Sequence, residues 1–506
     1  MITQNIIGFQ LSALSDKRIY AGEAKTSTNL PEAFSPATIS EINKALELAH
    51  HAWRIYRNVK ADQRAMFLRE IALGIETLGD VLVSRIMKET AYPEARILIE
   101  RTRTCNQLKM FADIAEQDQW RDITIDRAMP ERTPLPKPEL RKMMFPLGPV
   151  VVFGASNFPL AYSTAGGDVA SALAAGCPVI IKAHSSHLGT NALVAEVIME
   201  AARKTKMPEG VFTSLNGDGF ETGIQLVQHP LTAAVGFTGS QAGGRALFDA
   251  GQQREKPIPV FAEMGSVNPV FLLPGKLKAD VKQIASQLLA SMSNTAGQFC
   301  TKPGIWIAME DEWTASFLDQ ITSSLPTIEK TTMLNKDIFN SFQKGIIGVT
   351  GESGIRMLYD ASSHEGDMVS PEIAAVPADV YLQQTDLHRE IFGPFALMVL
   401  CSTEDQIIAI AESLEGQLTA SVFTNEEDEL MSRSLIEILQ EKAGRLIING
   451  VPTGVEVTAA MTHGGPYPAS TDSRFTAVGH HAIRRWCRPV TFQNFPGHLL
   501  PEILRD

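Results

Sequence analysis

Two observations predict an α/β protein with parallel sheets, and a third sets its scale. From about Leu135 onward, short apolar, β-branched runs alternate with helical stretches. That is the pattern of parallel strands joined by right-handed crossovers. A second apolar-rich stretch, from about Ser266 to Gly444, has the same texture. At 506 residues the chain is too long for one simple core, so about two to four domains are expected.

The first third reads as helical. In "ADQRAMFLREIALGIETLGDVLVSRIMKE", Leu68, Ile71, Ile75 and Leu78 fall on one face at helical spacing, and Asp62 is placed as the N-cap. Three buried strands follow: "VVVFG" (Val150 to Gly154), "PVIIKA" (Pro178 to Ala183) and "AAVGFTG" (Ala233 to Gly239). The stretches "TAGGDVASALAAG" and "TNALVAEVIMEAARKTKM" read as helices between them. "PFALMVLCS" and "RLIING" read as later strands, whereas the tail "RPVTFQNFPGHLLPEILRD" has too little periodicity to define a compact element.

Composition narrows the function classes. The formal net charge is −12, from 45 basic and 57 acidic residues. This argues against nucleic acid or an anionic membrane surface as partner, since both reward clustered Lys and Arg. The long uncharged run from Met143 to Gly167 carries Pro146, Gly148, Pro149, Gly154, Asn157 and Pro159, which suit a strand and turn rather than a lipid-facing helix. The opening segment "MITQNIIGFQLSALSDKR" does not read as a signal peptide. Five scattered cysteines without a CxxC give neither a disulfide framework nor a zinc site. A reducing, cytoplasmic setting is therefore expected.

Several local patterns can carry chemistry. Cys300, in "SMSNTAGQFCTKPG", is either a buried sulfur or a nucleophile held open by small neighbours. "NGDGFETG" and "GFTGSQAGGRALF" are glycine-rich turns opening helices; Gly239 and Ser240 in the second form either a phosphate turn or a plain helix cap. Lys182 ends a buried strand, where a ligand or solvent must meet its charge. His184 and His187 lack the clustered partners a metal site needs, and no metal is expected. Asn157 in "GASNFPLA" is a turn residue or an amide donor to an oxyanion. Glu263 in "VFAEMGSVNP" sits in apolar surroundings suited to a general base. "HREIFGPF", with Glu390 and Phe392, says only strand end and loop.

Taken in order and spacing, "SNFP", "FTGS", "AEMG", "GQFC" and "EIFGPF" resemble the aldehyde dehydrogenase superfamily over nearly the whole chain. "NFPLAYSTAGGDVASALAAGCPVIIKAHSSHLGT", "HGGPYPASTDSR" and "RPVTFQNFP" are similar to the branch that includes α-ketoglutaric semialdehyde (2,5-dioxopentanoate) dehydrogenases, which lies close to NADP-preferring long-chain aldehyde dehydrogenases. The resemblance implies an aldehyde dehydrogenase-like fold: a Rossmann-like cofactor domain (1–124 and 148–265), a catalytic α/β domain (266–444), an oligomerisation arm (125–147 and 483–506) and a return segment lining the substrate site (445–482). It implies a homodimer or homotetramer. By the same resemblance, Cys300 is the nucleophile that forms a thiohemiacetal and then a thioester, Asn157 the oxyanion donor, and Glu263 the base for hydrolysis. Lys182 and Glu390 hold the riboses, Phe392 packs beside the nicotinamide, and Gly239 and Ser240 meet the phosphates.

Three departures from the family pattern matter. Ser185 stands where NAD-preferring members carry a glutamate, leaving room for a 2'-phosphate, so NADP is the expected cofactor, with NAD possible as well. Ser156 replaces a common Trp. "THGGPYPAST" replaces "FGGxKxSG", and His463 within it reads as packing in the turn rather than as a proton carrier. Phe158, Phe299, His463 and Arg474 are the expected substrate neighbours, Arg474 by motif neighbourhood alone. The expected reaction is oxidation of α-ketoglutaric semialdehyde to 2-oxoglutarate. Its rivals are oxidation of long aliphatic aldehydes and CoA-acylating chemistry; a catalytically silent protein of this fold is disfavoured by the intact Asn157, Glu263 and Cys300.

Overall fold

The computed structural model describes residues 1–217, 219–361 and 366–506. Its first sheet contains β1 (Asn5–Ile7), β2 (Gln10–Ser12), β3 (Val150–Phe153), β4 (Val179–Lys182), β5 (Phe212–Leu215), β6 (Ala234–Thr238) and β7 (Val260–Glu263). Their order is β7-β6-β3-β4-β5-β1-β2. The five strands from β3 to β7 are parallel, and the hairpin β1–β2 extends the β5 edge antiparallel. Because β3 and β4 are covered on both faces, they read as continuous apolar runs rather than alternating ones.

The second sheet contains β8 (Val270–Leu272), β9 (Ile305–Met309), β10 (Arg356–Tyr359), β11 (Glu372–Pro377), β12 (Phe395–Cys401), β13 (Gln417–Phe423) and β14 (Ala443–Ile448), in the order β10-β11-β12-β9-β8-β13-β14. Only β10 runs antiparallel. Separate apolar clusters fill its two faces, one around Phe271, Phe342 and Tyr381, the other around Trp306, Phe317 and Met398. The chain passes from β7 into β8 through residues 264–269, so Glu263 ends one sheet just before the next begins.

The helical reading of residues 61–89 needs two corrections. The stretch is two helices, Ala61–Thr77 and Gly79–Thr90, divided where Gly79 takes a φ of +52°. Lys60 occupies the N-cap without a side-chain bond. Asp62 lies within the first turn, accepting a hydrogen bond from the Gln63 N–H where the N-terminal dipole favours a carboxylate. The tail also forms a defined element: Cys487–Gln493 pairs antiparallel with Leu140–Pro146, which pairs with Thr124–Asp126. No described helix is long and apolar enough to cross a membrane.

Candidate active site

Cys300 follows three consecutive residues in left-handed backbone, Thr295, Ala296 and Gly297, with φ of 51°, 54° and 62°. Gly297 must be glycine, because a Cβ there would stand 2.5 Å from the backbone of Gly393. The cysteine loop is thereby locked against the "EIFGPF" loop. Asn268 fixes it from below, its Nδ2 donating to the carbonyls of Cys300 at 2.8 Å and Lys302 at 3.0 Å. Cys300 is half-buried as a residue.

Two other segments converge on the Cys300 sulfur. Glu263 arrives at the C-terminal end of β7, and His463 on the returning segment beyond β14. The His463 Nε2 lies 3.6 Å from Cys300 Sγ and 2.9 Å from Glu263 Oε1. The second approach is out of line for a hydrogen bond, so both buried carboxylate oxygens lack a donor. His463 is held by its backbone: its N–H donates to Thr476 Oγ1 and its carbonyl accepts from the Ala477 N–H, both at 2.8 Å. His463, expected to pack in the turn, is a 1% exposed imidazole placed between the thiol and the carboxylate. The donor atoms of Glu263, Cys300 and His463 lie within 4.8 Å of one another. Burial, reinforced by the negative charges of Glu263 and Glu390, pushes the Cys300 thiol well above its ordinary range.

Asn157 follows β3, and its Nδ2 donates to the Gln298 carbonyl at 3.0 Å, two residues from the sulfur. Its own carbonyl accepts from Arg96 Nη2 at 2.7 Å and Tyr92 Oη at 3.2 Å. Phe158 and Phe299 meet edge to face at 5.4 Å. With Tyr162 and Cys300 they line a cavity of about 1060 Å³. Arg474 is not in it. Its guanidinium forms a two-bonded pair with Asp472 at 2.6 and 2.8 Å on an exposed side chain, in a separate surface groove. Ionic satisfaction by its near neighbour in sequence removes it from the substrate site. The cations that do line the cavity include Arg103 and Arg445, which motif reasoning passed over. The available signal was Arg96, Glu100 and Arg103, at helical spacing on one face of the helix Glu94–Gln117.

Lys182, Ser185, Gly239 and Ser240 lie at or just beyond the carboxyl ends of β4 and β6, where open parallel sheets bind ligands. Ser185, Gly239 and Ser240 are exposed. Ser240 caps the helix Gln241–Gln252, its Oγ accepting from the Gly243 N–H at 3.2 Å. In the other glycine-rich turn, a Cβ at Gly217 would meet Lys182 Cε at 2.6 Å, so that turn closes over the lysine; Asp218 lies outside the described residues. Glu390 leans over Gly265, where a Cβ would stand 2.0 Å from Oε2. Burial raises the Glu390 carboxyl to about 7 and lowers Lys302, whose Nζ donates to the Phe395 carbonyl at 2.8 Å. Phe392 is half-buried in the loop before β12. These exposed helix-start groups and a lysine at the end of β4 fit a dinucleotide. His184 and His187 stack on each other at 5.4 Å, and His187 Nε2 is 2.8 Å from the Ala155 carbonyl; neither joins a metal-grade cluster among the described residues.

Comparisons with known proteins identify the family. The aldehyde dehydrogenase family model matches residues 24–491. An α-ketoglutaric semialdehyde dehydrogenase 2 of Azospirillum brasilense is 44% identical over 474 residues, covering 94% of this chain and 90% of that protein. An α-ketoglutaric semialdehyde dehydrogenase of Acinetobacter baylyi is 43% identical over 481 residues, with the same two coverages. In fold, the chain is similar to a betaine aldehyde dehydrogenase of Staphylococcus aureus, with a TM-score of 0.84 at 18% identity, covering 98% of this chain and 95% of that one. The chain belongs to the aldehyde dehydrogenase family.

Proposed function

We propose that this aldehyde dehydrogenase oxidises α-ketoglutaric semialdehyde to 2-oxoglutarate with NADP, through a thioester on Cys300. The observation that carries the reading is His463 Nε2 standing 3.6 Å from Sγ and 2.9 Å from Glu263 Oε1. A thiol whose acidity burial suppresses needs a base to become a nucleophile. His463 Nε2 accepts the thiol proton and holds it as imidazolium beside the Glu263 carboxylate. The thiolate adds to the aldehyde carbon, and Asn157 Nδ2 with the Cys300 N–H stabilises the resulting oxyanion. Lys182, Glu390 and the helix start at Ser240 would hold the cofactor, which when bound supplies the hydride acceptor. Glu263, with no donor on either oxygen, then activates water to hydrolyse the acyl-cysteine.

The substrate reading is supported by the two α-ketoglutaric semialdehyde dehydrogenases at 43–44% identity. The NADP reading is supported by Ser185, a short exposed hydroxyl where a carboxylate would repel a 2'-phosphate. The test is the initial rate of reduced-cofactor formation with α-ketoglutaric semialdehyde and with a long-chain aldehyde, each with NADP and with NAD. Preference for the dioxo acid with NADP is expected. Preference for the fatty aldehyde overturns the substrate, faster rates with NAD overturn the Ser185 argument, and a strict need for CoA overturns the hydrolytic role of Glu263. The arm formed by Thr124–Asp126, Leu140–Pro146 and Cys487–Gln493 is proposed to join subunits into a dimer or tetramer.

A further inference from the structure

The cavity above Cys300 contains two arginines for which the mechanism has no use. Arg103 comes from the helix Glu94–Gln117, on the cofactor-domain side of the cleft. Arg445 comes from β14, on the catalytic side. Each is held in place by part of its guanidinium. Arg103 Nη2 donates to Tyr162 Oη at 3.1 Å, with the guanidinium 5.4 Å over that ring. Arg445 Nη1 donates to the Gly454 carbonyl at 2.9 Å, and its Nη2 donates to the Pro452 carbonyl.

In both, Nε is buried and has no hydrogen-bond partner. Both arginines share the lining of that cavity with Cys300 and Tyr162. Two guanidiniums, one from the helix Glu94–Gln117 and one from β14, therefore line the cavity that holds the sulfur. Two cations lining one cavity suit an anionic ligand and oppose an aliphatic tail, and Glu100 in the same lining offsets part of the Arg103 charge. Arg96, by contrast, is already committed to the Tyr92 ring, at 3.6 Å, and to the Asn157 carbonyl.

We infer that Arg103 and Arg445 form the subsite that binds the remote carboxylate of an acidic aldehyde, spanning the cleft between the two sheets. The inference rests on the reading of the substrate as an aldehyde acid, and adds which residues select it. A guanidinium offers paired, planar donors to a carboxylate, and the two walls together fix the end of the molecule opposite its aldehyde.

The test compares kcat/KM for α-ketoglutaric semialdehyde with that for pentanal, a neutral five-carbon aldehyde, in the intact enzyme and in the variants Arg103→Met, Arg103→Lys and Arg445→Met. The acid-to-pentanal ratio should fall at least tenfold in each methionine variant, mainly through KM, and less in Arg103→Lys. An unchanged ratio in the folded variants overturns the subsite while leaving the substrate reading intact. A second readout needs no turnover: glutarate should slow alkylation of Cys300 in the wild type, and Arg103→Met should abolish that protection. If the wild type ignores the acid as substrate but glutarate still protects through Arg103, the substrate reading fails and the anion subsite stands. Absence of glutarate protection in the wild type overturns the subsite.

Discussion

Cys300 and Glu263 oppose each other electrostatically, and His463 stands within 3.6 Å of the sulfur and 2.9 Å of the carboxylate. The buried carboxylate raises the thiol's proton affinity, so removing its charge must lower it. In Glu263→Gln, iodoacetamide should therefore alkylate Cys300 faster at neutral pH, with the inflection of the rate profile moved to lower pH, although aldehyde oxidation stalls at the acyl stage. A profile that stays put or moves upward would contradict the placement of Glu263. His463→Gln should lower kcat by about 10²–10⁴-fold, the usual contribution of a positioned proton carrier, whereas a loss confined to KM would contradict its role. The donor atoms of Glu263, Cys300 and His463 lie within 4.8 Å, so a thiophilic cation competes for them. Added Zn²⁺ should inhibit reversibly, with a chelator restoring the rate. Legibility in the sequence differed residue by residue. Cys300, Glu263 and Asn157 sit inside short motifs whose residue types suit their chemistry. His463 lies in a glycine-rich turn that equally describes packing, and only the fold brings it 163 positions back to Cys300. Arg103 and Arg445 belong to different elements, and no local pattern joins them.

Among the elements, long apolar runs were easiest to read. β3, β4 and β6 appear within a residue of their sequence boundaries because their burial is nearly complete. The strand Cys487–Gln493 was invisible, because its side chains are mostly exposed and its partner lies more than 340 positions earlier. The tail is anchored just before that strand. Arg485 pairs with Asp168 at 2.5 Å, and Trp486 Nε1 donates to Ser171 Oγ at 2.8 Å, both onto the helix Gly167–Ala175. The Arg485 side chain is 4% exposed and that of Asp168 12%, so breaking the pair leaves a largely buried carboxylate. Arg485→Met should cost about 3 kcal/mol of stability, seen as a lowered Tm, with a companion Asp168→Asn change recovering part of it. An unchanged Tm would mean that the anchor lies elsewhere.

At the scale of the whole molecule, the candidate site residues come from both seven-stranded sheets. Asn157 and Glu263 leave the first sheet, Cys300 precedes β9 of the second, and His463 returns between them. The arm leaves apolar side chains in solvent: Leu135 is 70% exposed and Met129 52%. Such surface seeks a partner, so light scattering should give a multiple of the 55.2 kDa chain, and removal of residues 487–506 should reduce it; a wild-type monomer would contradict the role of the arm. The central claim is that one thiol carries the substrate and one carboxylate releases it. It is tested most directly by mixing Glu263→Gln enzyme with α-ketoglutaric semialdehyde and NADP and taking the intact and peptide masses. A single stoichiometric burst of NADPH with an acyl adduct on the peptide bearing Cys300 is the predicted result. Continued turnover with no adduct, or an adduct on another residue, would contradict it.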